Sequence, residues 1–199
     1  MSKRSCIVKA VEYISIIIVL IILDQITKRA AVAGLMESGP YVIIDNVLEL
    51  LYVENRGAAF GIMMGMRGFF LLIAPAVSAV LFFMSLRLPD SRRYAPLKLC
   101  FILIIAGALG NFIDRLLHEY VVDFIYFMPI DFPVFNVADI YVTCSTIIMI
   151  LLTLFYYSDE ELNEALWSVR FKPDASKDAA AETFADTEQT GSNSGSDQK

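Results

Sequence analysis

Four apolar segments, each near the length of a membrane-spanning helix, constrain the fold of this chain more than any other feature. We place them at about residues 10–29, 67–87, 98–115 and 138–158. A helix needs about 20 apolar residues to cross the hydrocarbon core of a bilayer. The mean hydropathy of +0.59 and the hydrophobic content of 57% are also higher than a water-soluble domain normally has. The sequence therefore predicts an all-α membrane protein with four transmembrane helices.

The first apolar segment has a second interpretation, a signal peptide that is cleaved off. Basic residues precede the apolar residues 13–23, and residues 31–33 read Ala-Val-Ala, a pattern typical of a cleavage site. However, Asp24, Lys28 and Arg29 would lie between the apolar region and the cut, which makes that stretch too long and too charged. We therefore expect a retained first transmembrane helix.

The charge distribution separates a tail from the rest of the chain. The net charge is −6, and residues 158–199, with ten acidic and four basic side chains, account for all of it. We predict one four-helix transmembrane domain over residues 1–157 and no nucleic-acid partner. A capping-box pattern that begins at Ser158 predicts a cytoplasmic helical extension over residues 158–171. Residues 172–199 have few core-forming side chains and are predicted to be a disordered acidic tail.

Two loops between the spans are too apolar or too aromatic for free solvent. In the first loop, residues 41–53 are rich in β-branched and aromatic side chains and indicate two short strands joined at Asp45 and Asn46. We expect this small β element to rest on the membrane surface. The second loop, residues 116–134, is rich in Tyr and Phe, which favours a position at the lipid–water interface.

Counting the spans places several polar residues at one membrane face. Asp114 and Asp139 flank a loop that does not cross the membrane, and Asp24 ends the first span, two crossings earlier. Asn55 lies in the loop that follows the first span at that face. The basic N-terminus and the basic residues 87–98 share the opposite face, which the positive-inside rule makes cytoplasmic. We therefore predict cytoplasmic N- and C-termini and an extracytoplasmic acidic cluster.

The pattern Asn-x-x-Asp occurs twice at this face, as Asn111 and Asp114 and as Asn136 and Asp139. Residues three apart share a helix face, so we expect each Asn to orient its own Asp. If the two carboxylates meet at about 4 Å, their repulsion of about 4 kcal/mol leaves a single proton on the pair at neutral pH. An aspartic peptidase needs this state, because one carboxylate draws a proton from water while the other protonates the scissile carbonyl.

Purely structural interpretations of these residues also exist. Asp139 at the start of a helix could be a cap. Asp24 could end the first helix and pair with Lys28 at the i,i+4 spacing. Asn55 and Gly57 could only shape a turn. Four further polar residues are not expected to take part in catalysis, namely His118, Glu119, Asp123 and Asp131.

Two alternatives to a peptidase come from other functional classes. A proton- or ion-coupled transporter could use the same acids as a relay, but they cluster at one face and the sequence has no repeated half. A metallohydrolase is a poor fit, because the chain has one His and no His-Glu-x-x-His motif. We therefore predict no metal and no cofactor, and we expect Cys100 and Cys144 to pack in the core.

Five short blocks in a fixed order make the sequence resemble a known family. They span about residues 10–157 and are Asp24-Gln25-x-Thr27-Lys28, Asn55-x-Gly57-x-Ala59-Phe60-Gly61, Gly110-Asn111-x-x-Asp114-Arg115, Val122-Asp123-Phe124 and Phe135-Asn136-x-Ala138-Asp139. Each block alone is weak, but together they resemble bacterial lipoprotein signal peptidase, also called signal peptidase II.

The resemblance implies a four-helix aspartic endopeptidase of the bacterial inner membrane, with no cofactor. It would remove signal peptides from prolipoproteins by cleaving before a diacylglyceryl-modified Cys. Membrane lipid and globomycin-like cyclic peptide inhibitors are further implied partners. Residues 41–53 match the family's extracytoplasmic cradle, whereas the tail from about Asp159 is longer than the family core needs. The motifs imply Asp114 and Asp139 as the catalytic dyad, with substrate-positioning or structural roles for Asp24, Lys28, Asn55, Gly57, Asn111, Arg115, Asn136 and Ala138.

Overall fold

The computed structural model describes residues 3–57 and 67–166. Within them, five helices run over Lys3–Leu35 (α1), Arg67–Arg87 (α2), Ala95–His118 (α3), Val137–Phe155 (α4) and Asp159–Leu166 (α5). Three strands run over Tyr41–Ile44 (β1), Leu48–Asn55 (β2) and Val121–Phe127 (β3). Four helices of this part are long and apolar enough to cross a membrane. The predicted class, a four-helix membrane protein with a small β element, is therefore confirmed.

Some sequence-based predictions fall outside the described residues. They concern the motif residues Ala59, Phe60 and Gly61, the end of the helical extension at residues 167–171, and the acidic tail at residues 172–199.

Helix α3 lies at the centre of the bundle and contacts α1, α2 and α4. Its most apolar window is 56% buried within the protein, against 11% for each of the other three spans. Ile102, Ile105 and Ala106 of α3 pack against Tyr13 and Ile17 of α1. The outward faces of the other helices carry exposed Ile, Leu, Val and Phe side chains, as expected for surfaces that contact lipid.

Two glycines of α3 let neighbouring elements approach its backbone closely. A Cβ at Gly107 would collide with the carbonyl oxygen of Ala138 at the start of α4. A Cβ at Gly110 would lie 2.6 Å from Oδ2 of Asp24 on α1. Small residues in membrane helices allow neighbouring elements to approach closely, and these two positions do so.

The three strands form one antiparallel sheet in the order β1-β2-β3. The two strands expected from residues 41–53 are confirmed, and all four side chains of β1 are exposed. The expected aromatic loop differs, because Glu119 turns the chain with φ of 72° and β3 then pairs with β2. In that register Val53 lies opposite Asp123. A segment expected only to lie at the interface therefore brings a carboxylate next to the end of β2.

The opposite end of the bundle is held by charged side chains. Asp90, in the turn after α2, forms ion pairs with Lys9 of α1 and with Lys98 of α3. The predicted capping box at the start of α5 is present, since Ser158 Oγ accepts from the Glu161 amide at 3.2 Å. Glu161 also receives two hydrogen bonds from the Arg93 guanidinium, at 2.8 and 2.9 Å. These contacts fasten α5 to the turn between α2 and α3.

Candidate active site

Five polar residues with at most 2% exposure converge where α1, α3, β3 and the start of α4 meet. They are Asp24, Lys28, Asp114, Asp123 and Asn136. A buried charge is costly unless it is paired and hydrogen-bonded, so each of these groups must find its partner within the cluster.

Lys28 is the buried cation that joins two of the aspartates. Its Nζ lies 2.9 Å from Oδ2 of Asp24 and 2.9 Å from Oδ2 of Asp114. It also donates to Oδ1 of Asn111 at 2.8 Å. The i,i+4 pair of Asp24 and Lys28 considered from the sequence is therefore present, but Lys28 additionally ties α1 to α3.

Asp24 and Gln25 orient the neighbouring elements from α1. The Asp24 Oδ1 accepts the backbone N–H of Ala138 at 3.0 Å, which fixes the start of α4 against α1. Gln25 Nε2 donates to Oδ1 of Asp114 at 2.8 Å. Gln25 was not among the predicted site residues, although it stands inside the first motif block.

Asn111 behaves differently from the expectation that each Asn orients its own Asp. Its Nδ2 donates to Oδ1 of Asp139 at 2.8 Å, in the other copy of the motif. Because its Oδ1 accepts from Lys28, Asn111 connects the buried cation to Asp139. The spacing does place Asn111 and Asp114 on one helix face, and both contact Lys28, but the carboxylate that Asn111 binds belongs to the other copy of the motif.

Asn136 and Asp139 form a capping box at the start of α4. Asn136 Oδ1 accepts the Asp139 N–H at 3.0 Å, and the Asn136 N–H donates to Asp139 Oδ2 at 3.1 Å. The second Asn-x-x-Asp copy therefore does orient its own Asp. Asn136 Nδ2 also donates to Oδ1 of Asp123 at 2.6 Å. Asn136 therefore bridges two carboxylates, binding Asp139 through its backbone N–H and Asp123 through its side chain.

Asp123 accepts a second hydrogen bond, from an amide side chain on β2. Asn55 Nδ2 donates to Oδ2 of Asp123 at 2.8 Å, and Asn55 Oδ1 accepts the Gly57 N–H at 2.9 Å. Burial, followed by the nearby charge of Asp139, raises the pKa of Asp123 to about 7. The hydrogen bonds from Asn55 and Asn136 act in the opposite direction but do not cancel the effect of burial.

A cavity of about 590 Å³ opens at this cluster. Asp123 and Asp139 both line it, whereas Asp114 is not among its lining residues. Much of the remaining wall is apolar and comes from Phe132–Phe135 and from Ile140 on α4. Cys144, which was expected to pack in the core, is exposed and also lines the cavity.

The cavity is lined by a different pair of acids from the pair predicted from the sequence. Asp114 binds Lys28 and Gln25, and its Oδ2 accepts the Val122 N–H at 3.3 Å, so it holds β3 in place behind the cavity wall. Asp123, which composition alone had set aside, stands beside Asp139 at the cavity. The sequence did carry a signal for it, since Val122-Asp123-Phe124 is one of the five motif blocks.

Arg115 supports the cavity from α3. Its Nη2 donates to the Gly57 carbonyl at 2.9 Å, and its guanidinium lies 4.4 Å from the ring centre of Phe70. Arg115 also lines the cavity together with Asn55 and Asn111. All the polar residues predicted for the site therefore belong to one connected set of contacts, while their chemical roles differ.

Comparison with known proteins identifies a family whose sequences resemble this chain. The family model described as signal peptidase (SPase) II matches residues 16–155. A lipoprotein signal peptidase of Caldanaerobacter subterraneus subsp. tengcongensis is 42% identical over 71% of this chain and 95% of its own length. A lipoprotein signal peptidase of Clostridioides difficile is 40% identical over 73% of this chain and 97% of its own length.

Two solved structures, both described as bacterial membrane enzymes studied by the in meso method, have the same fold. The structure at 2.3 Å resolution matches with a TM-score of 0.64 and 35% identity, covering 72% of this chain and 87% of that one. The structure at 1.9 Å matches with a TM-score of 0.63 and 33% identity, covering 74% and 94%. From its sequence and its fold, this chain belongs to the signal peptidase II family of membrane-bound lipoprotein signal peptidases.

Proposed function

We propose that this protein is an aspartic endopeptidase that removes signal peptides from diacylglyceryl-modified prolipoproteins, cleaving before the lipidated Cys. Membership of the lipoprotein signal peptidase family supports the substrate class. It also favours a peptidase over the transporter that the buried acids alone would have allowed. The observation that carries the aspartic mechanism is the presence of Asp123 and Asp139 on the wall of one cavity.

In this proposal Asp123 and Asp139 replace the dyad of Asp114 and Asp139 expected from the sequence. A pKa of about 7 leaves Asp123 half protonated at neutral pH. Asp139 lies in the first turn of α4, where the helix dipole and the Asn136 N–H stabilise a carboxylate anion. We therefore assign Asp123 as the proton donor and Asp139 as the general base.

The reaction then needs one water molecule and no covalent intermediate. Asp139 takes a proton from the water, whose oxygen attacks the scissile carbonyl carbon, while Asp123 gives its proton to the carbonyl oxygen. Collapse of the tetrahedral intermediate breaks the C–N bond, and the proton now on Asp139 passes to the leaving amine. Asp123 regains its proton from the hydroxyl group of the intermediate, which restores the starting state.

The remaining predicted residues have positioning roles in this proposal. Lys28 forms ion pairs with both Asp24 and Asp114, which fixes α1 to α3, and Asp114 in turn holds β3. Asn111 and Asn136 orient the reacting carboxylates by donating to them. The backbone N–H of Ala138 places the start of α4 through its bond to Asp24.

We further propose that the cavity faces the extracytoplasmic side of the bacterial inner membrane, with both termini in the cytoplasm. The asymmetry of basic residues between the two faces supports this orientation. A substrate anchored by its lipid would present its cleavage site at that interface. The exposed apolar strand β1 is suited to rest on lipid beside it, and globomycin-like inhibitors would compete for the same cavity.

Three Asp→Asn variants test the assignment on a purified diacylglyceryl-modified prolipoprotein in detergent. D123N and D139N should each lower the cleavage rate by about 10²–10⁴-fold, because each removes a proton-transfer group. D114N should be less stable, since Lys28 loses one of its two carboxylate partners, but it should keep measurable cleavage. Thermal unfolding of each variant separates loss of chemistry from loss of fold.

The outcomes separate the two candidate pairs of acids. Clear cleavage by a folded D123N, with none by a folded D114N, would restore the pair predicted from the sequence. Cleavage by D139N would exclude both pairs. A strong chelator should leave the native activity unchanged, and inhibition by it would argue for a metal-dependent reaction instead.

A further inference from the structure

Arg67, the first residue of α2, binds the C-terminal end of α3. Its Nε donates to the Arg115 carbonyl at 2.9 Å, and its Nη2 donates to the Leu116 carbonyl at 3.2 Å. Its Nη1 forms an ion pair with Glu119, the residue just after the helix. The last four carbonyls of a helix have no partner within the helix and carry its negative dipole end. Arg67 therefore caps α3 from a neighbouring element.

The carbonyl that Arg67 holds belongs to Arg115, whose own side chain reaches the cavity. The Arg115 guanidinium donates to the Gly57 carbonyl and lies over the Phe70 ring in the first turn of α2. Gly57 and Arg67 are the described residues on either side of residues 58–66. Gly57 thus binds the side chain of Arg115, and Arg67 binds the backbone carbonyl of Arg115.

The contacts continue from Gly57 to the proposed proton donor. The Gly57 N–H donates to Oδ1 of Asn55 at 2.9 Å, which fixes the orientation of that amide. Asn55 Nδ2 then donates to Oδ2 of Asp123 at 2.8 Å. An unbroken series of hydrogen bonds therefore leads from Arg67 through Arg115, Gly57 and Asn55 to Asp123.

We infer that Arg67 is a positioning residue for the peptidase reaction. By capping α3 it fixes Arg115, and Arg115 holds the Gly57 end of β2 so that Asn55 meets Asp123. The inference rests on the proposed function, because it takes Asp123 as one of the reacting groups. Arg67 itself does not line the cavity, so its effect on catalysis is transmitted through Arg115.

Four variants of the full chain test the inference: R67Q, R67K, E119Q and R56Q. R67Q removes the cationic cap, whereas R67K keeps a cation that can still bind one carbonyl. E119Q removes only the ion pair of Arg67. R56Q is a matched control, because Arg56 precedes residues 58–66 and its described hydrogen bond is to Glu54, at 3.0 Å. Steady-state cleavage of a diacylglyceryl-modified prolipoprotein gives kcat and KM for each variant.

We expect R67Q to lower kcat by about 10–100-fold, because a small displacement of a catalytic group costs that much. KM should stay within about twofold, since Arg67 does not line the cavity and a positioning defect acts on the chemical step. R67K should recover part of the lost kcat, and E119Q and R56Q should match the native enzyme. Hydrogen exchange supplies a readout independent of activity: the Gly57 amide should exchange faster in R67Q and not in the two controls.

A folded R67Q with native kcat and native exchange at Gly57 would overturn the inference, as would an equal loss of kcat in E119Q or R56Q. If thermal unfolding shows that R67Q does not fold, kcat and Gly57 exchange in R67K test the inference instead. The proposed function fails separately, through retained cleavage by D123N. In that case, faster exchange at Gly57 in R67Q would still show that Arg67 fixes Gly57 through Arg115. The inference that Arg67 positions a catalytic group would be wrong, because Asp123 would not be one.

Discussion

Asp114 and Asp123 are both almost fully buried, yet the side chains that bind their carboxyl groups differ in charge. Asp114 forms an ion pair with the Lys28 ammonium at 2.9 Å. The side-chain donors to Asp123 are the uncharged amides of Asn55 and Asn136. Burial therefore dominates at Asp123 and raises its pKa to about 7.

The raised pKa of Asp123 makes protein stability depend on pH. The pKa of this carboxyl is about 7 in the folded protein, against 3.8 for the ordinary side chain. Between these values the folded protein keeps a proton that the unfolded chain has lost, so stability falls as pH rises from about 4 to about 7. The difference corresponds to about 4 kcal/mol, fully lost above pH 7. D123N cannot ionise and should escape this loss.

Thermal unfolding of the native protein and D123N at pH 5 and pH 8 measures the effect. The stability of D123N relative to the native protein should rise on going to pH 8. The fixed cost of replacing one carboxyl oxygen by an amide nitrogen cancels in this comparison, as do the titrating groups that do not interact with Asp123. An unchanged difference between the two proteins would show that Asp123 does not titrate in this range.

The role of Asp123 could not be read from its neighbours along the chain. Its donors come from β2 and from the start of α4, so its environment exists only after β3 has paired with β2. Asn111 and Asp114 had the opposite difficulty. Their spacing was clear, but Asp114 forms an ion pair with Lys28 of α1, and Asn111 donates a hydrogen bond to Asp139. A sequence pattern gives the shared helix face, whereas the partners depend on which helices pack against it.

At the level of elements, the spans were predictable because hydropathy reports what each helix exposes to lipid. The ends of the helices were harder to predict than the spans. Helix α1 runs over Lys3–Leu35 and α3 over Ala95–His118, so both are longer than the apolar segments found in the sequence. Polar residues extend these helices where they find partners inside the protein. Thus Lys9 lies in α1 ahead of the apolar segment, is buried and forms an ion pair with Asp90.

The contact between α3 and α4 gives a prediction at this scale. In G107A the added methyl group would meet the Ala138 carbonyl, so α4 must shift at the turn that carries Asp139. Overpacking of this kind costs about 1–3 kcal/mol, and the displacement of Asp139 should lower cleavage further. G68A is the matched control, because nothing lies within 4 Å of a Cβ at Gly68. Native cleavage and native thermal stability in G107A would show that this close approach is unimportant.

For the whole molecule, the part beyond α4 adds contacts at one end of the helical bundle. Leu162 and Ala165 of α5 pack against the cluster formed by Leu88, Leu97 and Tyr157 at the end remote from the cavity. Glu161 adds its two bonds to Arg93. These contacts stabilise that end of the bundle without touching the candidate active site. The apolar residues of α5 therefore predict a role in stability and not in catalysis.

Two truncations separate α5 from the acidic tail. A chain ending at residue 171 should cleave substrate and unfold like the full chain, because the composition of residues 172–199 indicates no core-forming segment. A chain ending at residue 158 should lose about 2 kcal/mol from the exposure of Leu97 and its neighbours. That loss corresponds to a fall of roughly 4–8 °C in the unfolding midpoint.

E161Q, which removes only the charge on the Arg93 partner, should fall between the full chain and the shorter truncation. Cleavage per folded molecule should be the same in all these proteins, since the proposed dyad lies at the other end of the bundle. Lost cleavage in a folded chain ending at residue 171 would assign a functional role to the tail. Equal midpoints for both truncations would show instead that packing of α5 adds nothing to the stability of the four spans.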